Sequence, residues 1–173
     1  GRKQLESDID VVEKGRVARQ LIALGDHQTA EKLITVLRRG RQAWPEYLIA
    51  EAALGTAQQP WLIPMFADDL FLEEDPHSLP GYEDLLVYPR SVVAADVIRG
   101  VLFRSPAFSS DVRESAGRVV DNPPHLRATI RQWWLQNKEH FEKQDYAAVT
   151  PLQPLTTQTP PATPSSNAPG VTT

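Results

Sequence analysis

Four histidines, a run of carboxylates and a recurring set of arginines are the side chains of this chain best equipped for chemistry. His27, His77, His125 and His140 share no short metal-ligand spacing. None lies in an H-E-x-x-H pattern, where two imidazoles one helical turn apart grip a zinc ion. Residues 68–84 hold seven acids (Asp68, Asp69, Glu73, Glu74, Asp75, Glu83, Asp84) and no Lys or Arg. Clustered carboxylates are what hard divalent cations require, but the D-x-D-x-D-G spacing of a calcium loop is missing, so a solvated surface loop between helices is expected. Nucleophile motifs are absent: there is no Cys and no G-x-S-x-G, and Ser109-Ser110 suits helix capping better than catalysis. No glycine-rich loop of the phosphate-cradling kinds occurs. These observations assign no catalytic, cofactor-binding or metal-ligating residue, and the chain is expected not to be an enzyme.

The arginines and tryptophans offer binding rather than catalysis. Arg38, Arg39 and Arg41 cluster at a helix end, where cations meet the negative end of the helix dipole. Arg99, Arg113, Arg118, Arg127 and Arg131 recur further on. Stacked helices would align this later set into a stripe for an acidic partner or a phosphate backbone, although pairing with Asp and Glu inside the fold is the simpler use. Trp133 and Trp134 are adjacent, so on a helix their side chains diverge by about 100°. One is expected to be buried with Ile130 and Phe141, leaving the other to cover the end of a helix stack or to stack on a ligand.

These side chains are carried by 173 residues, 41% hydrophobic and 23% charged, the composition of one globular domain of ordinary size. A formal net charge of −4 argues against a nucleic-acid partner, whose phosphates attract an excess of Lys and Arg. No apolar run approaches the roughly 18–20 residues of a transmembrane helix. Zero cysteines exclude disulfides and thiolate chemistry without fixing the redox compartment. Gly1 is not an initiator Met and no signal peptide follows it, so it is expected to be an internal start.

Composition breaks at Thr150. The last 24 residues contain 6 Pro, 7 Thr and 2 Ser, and no charged or aromatic residue. Such a segment buries too little apolar surface to offset its chain entropy. The expected organisation is therefore a helical domain over 1–149 and a disordered Thr/Pro-rich tail over 150–173. The Thr159-Pro160 and Thr163-Pro164 pairs would also suit an O-glycosylated or wall-spanning stalk, which tilts the expected location slightly towards the cell envelope or secretion and away from the cytoplasm.

Helical periodicity runs through 1–149. Val17, Leu21 and Leu24 form a stripe at i, i+4, i+7 beside Ala18, with Gly25 as helix stop and Asp26 as cap of the next helix. Ala30, Leu33, Ile34 and Leu37 continue the pattern to Gly40, making an αα-hairpin. Tyr47, Leu48, Ala52 and Leu54 precede Gly55, and Pro60 opens a segment with Trp61, Leu62, Met65, Phe66 and Leu70 on one side. Leu24-Gly25 and Leu54-Gly55 stand 30 residues apart, a spacing typical of stacked helical hairpins. Val93, Val97, Val101 and Leu102 mark a helix that Pro106 ends. Asp111 with Glu114 resembles a capping box, with Val112, Ala116, Val119 and Val120 on the apolar side. Asn122-Pro123 opens a long helix over 123–143, whose apolar face is Leu126, Ile130, Trp133, Trp134 and Phe141. The fold class is all-α.

Ala18-x-x-Leu21-x-x-Leu24-Gly25-Asp26, followed by Ala30-x-x-Leu33-Ile34-x-x-Leu37, resembles the short HEAT-like repeats associated with phycobilin lyases. Asp111-Val112-Arg113-Glu114-Ser115-Ala116-Gly117-Arg118-Val119 is similar to the first helix of such a repeat. Arg131-Gln132-Trp133-Trp134, continuing through Asn137 and Phe141 to Tyr146, looks like the closing helix of bacterial HEAT-repeat domain proteins. The middle unit departs from the pattern, with Glu51 at the place of Leu21 and no Asp after Gly55. The resemblance implies a short α-solenoid of helical hairpins closed by a long capping helix. It is nearly silent on activity, since this fold hosts scaffolds, regulators and a few enzymes; the expected function is a non-enzymatic scaffold or interaction module with a protein partner, no cofactor and no metal. The alternatives it leaves are a phycobilin-lyase-like enzyme subunit, which would need a deep apolar cleft, and a HEAT-like nucleic-acid binder, which would need a basic groove.

Overall fold

The computed structural model describes residues 2–73, 77–79, 82–87, 89–119 and 122–154. The chain forms α1 (Arg2–Ala23), α2 (His27–Arg39), a 3-10 turn (Gly40–Ala43), α3 (Glu46–Gly55), α4 (Leu62–Met65) and α5 (Ala67–Leu70). A hairpin of β1 (His77–Leu79) and β2 (Tyr82–Val87) follows, then α6 (Arg90–Arg104), α7 (Ser110–Arg118), α8 (Pro123–Glu142) and a closing 3-10 turn (Tyr146–Ala148). Among the described residues the fold is helical apart from that one hairpin.

The local signals at the helix ends act as their chemistry dictates. Gly25 takes φ 88°, its N–H reaches Ile22 O, and the Asp26 N–H reaches Leu21 O, both at 3.0 Å. This pair of bonds is the Schellman arrangement that satisfies the last carbonyls of α1. Asp26 then caps α2, accepting from the Thr29 N–H at 3.1 Å and the Thr29 hydroxyl at 2.8 Å. Asn122 caps α8 through the His125 N–H at 3.2 Å, with proline in the first helical positions. The cap of α7 is Ser109, accepting from the Val112 N–H, rather than Asp111. Glu114 pairs with Arg118 at 2.8 Å instead of closing a capping box.

Packing runs in a row. α1 lies on α3, α3 on α6 and α6 on α8, while α2 packs against α3 and α4, α5 and α7 against α6. α6 is consequently buried on more than one side, from Ser91 and Val92 through Ala95, Ile98 and Leu102. α8 contributes Leu126, Ile130, Trp133 and Phe141 to the core, with Trp134 half-buried beside them.

Four expectations are corrected. The stripe Val17, Leu21 and Leu24 is exposed, at 43%, 38% and 85%; α1 instead buries the neighbouring face of Gly15, Ala18 and Ile22. α3 buries Ala50, Ala53 and Leu54, whereas Ala52 faces solvent, so Leu24 and Leu54 do not occupy equivalent positions. Residues 61–70 form two one-turn helices, not one continuous helix. The acidic stretch 68–84 is not a plain loop: Asp68 and Asp69 lie in α5, and the β-forming residues Tyr82, Leu86 and Val87 of β2 pair with β1 in the register His77↔Val87, Ser78↔Leu86 and Leu79↔Tyr82. Val120 falls outside the described residues.

Arginines from one helix close the ends of another. Arg104 of α6 donates to Gly55 O, the last residue of α3, at 2.7 Å. Arg131 of α8 donates to Leu70 O at 2.7 Å, Leu72 O at 3.0 Å and Glu73 at 2.9 Å, with its guanidinium 5.7 Å from the Phe71 ring centre. Arg38 of α2 holds the buried Asp69 of α5 at 2.8 Å. Carbonyls left unpaired at helix C-termini need such donors, and here they come across the fold.

The C-terminal segment turns back across α8. Buried Trp133 donates its indole N–H to Thr150 O at 2.7 Å. Fully buried Asn137 donates to Trp133 O at 2.9 Å and accepts from the Thr150 N–H at 2.8 Å. The Leu152 N–H reaches the Ser115 hydroxyl at 2.9 Å, and Leu152 is 7% exposed. Residues 150–154, which composition groups with the tail, thus begin as part of the domain; the tail from 155 lies outside the described residues.

Candidate functional site

Among the described residues a recess lies where two helical turns meet. One wall is the end of α1, contributing Arg19, Gln20, Ile22 and Ala23; the other is the α3–α4 connection, contributing Thr56, Ala57, Gln58 and Gln59. The cleft has a volume of about 290 Å³.

Both walls are fixed by their own hydrogen bonds. The α1 side ends in the Gly25 turn described above, with Asp26 serving α1 and α2 at once. Its carboxyl is held below its ordinary 3.8 first by the bond from the Thr29 hydroxyl and then by the Thr29 N–H. On the other side the Thr56 hydroxyl donates to Ala52 O at 2.7 Å and the Ala57 N–H to Leu54 O at 3.2 Å. Two contacts then bridge the walls. Gln59 donates its amide to Ala23 O at 3.2 Å, and His27 stacks on Trp61 with ring centres 3.9 Å apart and planes 23° from parallel. A recess braced in this way is formed before any ligand arrives.

Its electrostatics are one-sided. Arg19 is the single charged residue of the lining, which holds no acid. Among the described residues Arg16 pairs with Glu13 and Lys14 with Asp10 on the same helix, whereas Arg19 makes no ion pair. The glutamines add groups that both donate and accept. The exposed stripe of Val17, Leu21 and Leu24 lies on another face of α1, about 140–160° round the helix from Arg19.

The sequence candidates are scattered. His27 is exposed and taken by the Trp61 stack, His125 is exposed, His140 is half-buried near the end of α8, and the His77 side chain lies outside the described residues. No group of three or more His, Asp or Glu placed to hold a metal ion occurs among the described residues. Asp69 and Glu73 are engaged by Arg38 and Arg131. Of the later arginines, Arg99 pairs with Asp96, Arg118 with Glu114, and Arg127 reaches the Ser91 hydroxyl at 3.3 Å. Three of the five thus pair with an acid (Arg99 and Arg118 within their own helices, Arg131 across the fold), Arg127 meets a hydroxyl, and Arg113 is exposed. Trp133 is buried against Phe141 and Trp134 half-buried, as their divergence requires.

The cleft itself was not singled out by sequence. Its walls come from segments whose bridging pair, Ala23 and Gln59, stands 36 residues apart and carry no motif; the signal they offer is that Gly25 and Gly55 stand at the ends of the helices that border it. No family model, no curated protein and no solved structure matches this chain. Among the described residues no helix is long and apolar enough to cross a membrane.

Proposed function

We propose that this chain is a non-enzymatic protein-interaction module, built as a short α-solenoid of HEAT-like hairpins with α8 as its cap. The packing order supports the solenoid: α1, α3, α6 and α8 follow one another in a row, and α2, α4–α5 and α7 lie against that row in chain order. The observation that carries the function is the double-sided amphipathicity of α1. It satisfies the core through Gly15, Ala18 and Ile22, yet presents Val17, Leu21 and Leu24 outwards. A second apolar face with no role in the core is a surface for a partner, because exposed aliphatic clusters oppose solubility unless covered.

The two other uses of such a fold have less support. A bilin-binding subunit needs a deep apolar pocket. The cleft beside α1 stands at about 290 Å³ and mixes Ile22, Ala23 and Ala57 with Arg19, Thr56 and three glutamines, at the bottom of the roughly 300–1,000 Å³ range of drug-sized sites. A phosphate-binding groove needs arginines free to leave the fold, but Arg38, Arg104 and Arg131 are committed to Asp69, Gly55 O and the Leu70–Glu73 segment.

The test is capture from a native extract with the full chain as bait, beside a Leu21→Glu, Leu24→Glu double variant. Both positions are exposed, so the variant is expected to keep the circular dichroism and melting of the parent while losing a stoichiometric protein partner. Equal capture by both baits would remove α1 from the interface. Retention of nucleic acid or a coloured small molecule in place of a protein would overturn the interaction module itself.

A further inference from the structure

We infer that the face of α7 and α8 under residues 149–152 is a groove for an extended partner segment of the pattern apolar–Thr–Pro–apolar. This chain keeps it filled with its own copy of that pattern, Val149-Thr150-Pro151-Leu152. α8 ends the packing row that α1 begins, so the groove stands independently of the interface read on α1. The occupant is held as a ligand is held. It forms neither helix nor strand, and side chains of the two helices take up its main-chain groups. The Trp133 indole N–H donates to Thr150 O at 2.7 Å, the Thr150 N–H to Asn137 Oδ1 at 2.8 Å and the Leu152 N–H to the Ser115 hydroxyl at 2.9 Å. Pro151, which has no N–H to offer, falls between the two residues whose N–H groups are read.

Periodicity names the conformation. Val149 has φ −63° and ψ 132°, in the polyproline-II region. Burial repeats at the three-residue period of that helix: Val149 and Leu152 are 5% and 7% exposed, while Thr150 between them faces solvent. Thr150 and Gln153 each precede a proline, which biases both towards the extended conformation before docking. The reading groups, in turn, are set by their own helices and not by the strap. Asn137 is oriented by its amide bond to Trp133 O at 2.9 Å, and Ser115 donates its proton to Val112 O at 2.7 Å and so presents a lone pair. The Trp133 ring packs edge-on to Phe141, with centres 5.8 Å apart. Fixed polar groups beside aromatic rings suit a proline-bearing segment, which loses little entropy on docking.

The experiment opens the groove in the full chain with Leu152→Asp, because a carboxylate is costly to bury. Acetyl-Val-Thr-Pro-Leu-Gln-Pro-amide is then added while the ¹H–¹⁵N signal of the Trp133 indole is followed. The variant is expected to shift that signal, and the peptide to return it saturably towards the parent's position. The parent is expected to bind the peptide about tenfold more weakly, since its groove is free only while the strap is released. Acetyl-Val-Thr-Pro-Asp-Gln-Pro-amide should leave the signal where it is. Leu152→Ala releases the strap more mildly; it should bind the first peptide more tightly than the parent does, and it decides the matter if the Asp variant unfolds. No return of the signal in a folded variant, equal response to both peptides, or equal affinity of the parent and Leu152→Ala would each overturn the groove. A dimer of the parent formed in place of peptide binding would give the groove to a second copy and overturn the partner segment.

Discussion

Asp26 shows how much one side chain can decide. Its backbone N–H closes α1 on Leu21 O, and its carboxylate opens α2 through Thr29. Because those bonds hold its pKa below the ordinary 3.8, the stabilisation is fully present above that value and is lost as pH falls through the lowered one. An Asp26→Asn variant can still cap but cannot titrate. In acid melts the gap in stability between parent and variant should therefore shrink as pH drops below the usual carboxylate range; a gap that stays constant would assign the cap no electrostatic part. This position was legible in the sequence because capping is local: Gly-Asp followed by Thr is sufficient. Arg104, by contrast, was not. Its bond to Gly55 O spans 49 residues and depends on Gly100, where a methyl group would stand 2.5 Å from the Arg104 Nη1 atom. Nothing in the spacing of Gly55, Gly100 and Arg104 announces that arrangement.

At the level of elements, periodicity identified helices and misjudged which face of one is covered. On α1 the large aliphatic residues and the smaller set Gly15, Ala18 and Ile22 both recur at helical spacing. The choice between them is made by where α3 lies, a fact no local window contains. The opposite error occurred at the C-terminus, where a Thr/Pro-rich composition hid a structured stretch. Thr150 and Leu152 are held by Trp133, Asn137 and Ser115, which sit on α8 and α7. A chain ended at Val149 should leave the buried indole N–H of Trp133 and the Asn137 carbonyl without partners, costing on the order of 1–3 kcal/mol. A chain ended at Pro154 should melt like the full chain. Urea unfolding of the two truncations measures the difference directly, and equal midpoints would show the strap to be dispensable. The hairpin of β1 and β2 was missed for a simpler reason: seven acids and three turn-forming residues between 68 and 84 outweighed the short β-forming run that ends at Val87.

Taken whole, the molecule separates its labours. Arg38, Arg104 and Arg131 join helices to one another, while Arg19 and the outer face of α1 stay open. α6 stands between α3 and α8 and is touched by α4, α5 and α7 as well. For its backbone amides to meet solvent, neighbours on several sides must leave together, so opening there approaches global unfolding. Deuterium uptake followed by peptide should consequently be slowest over Val92–Leu102 and fastest over the first turns of α1, whose single large neighbour is α3. Uptake in the reverse order would place the cooperative unit in the first hairpin instead. With the expected order, a partner seated on Val17, Leu21 and Leu24 and binding only the folded chain would raise the protection of α6 by the gain in global stability, so its footprint on the last turns of α1 is the protection gained there by local cover beyond that common rise.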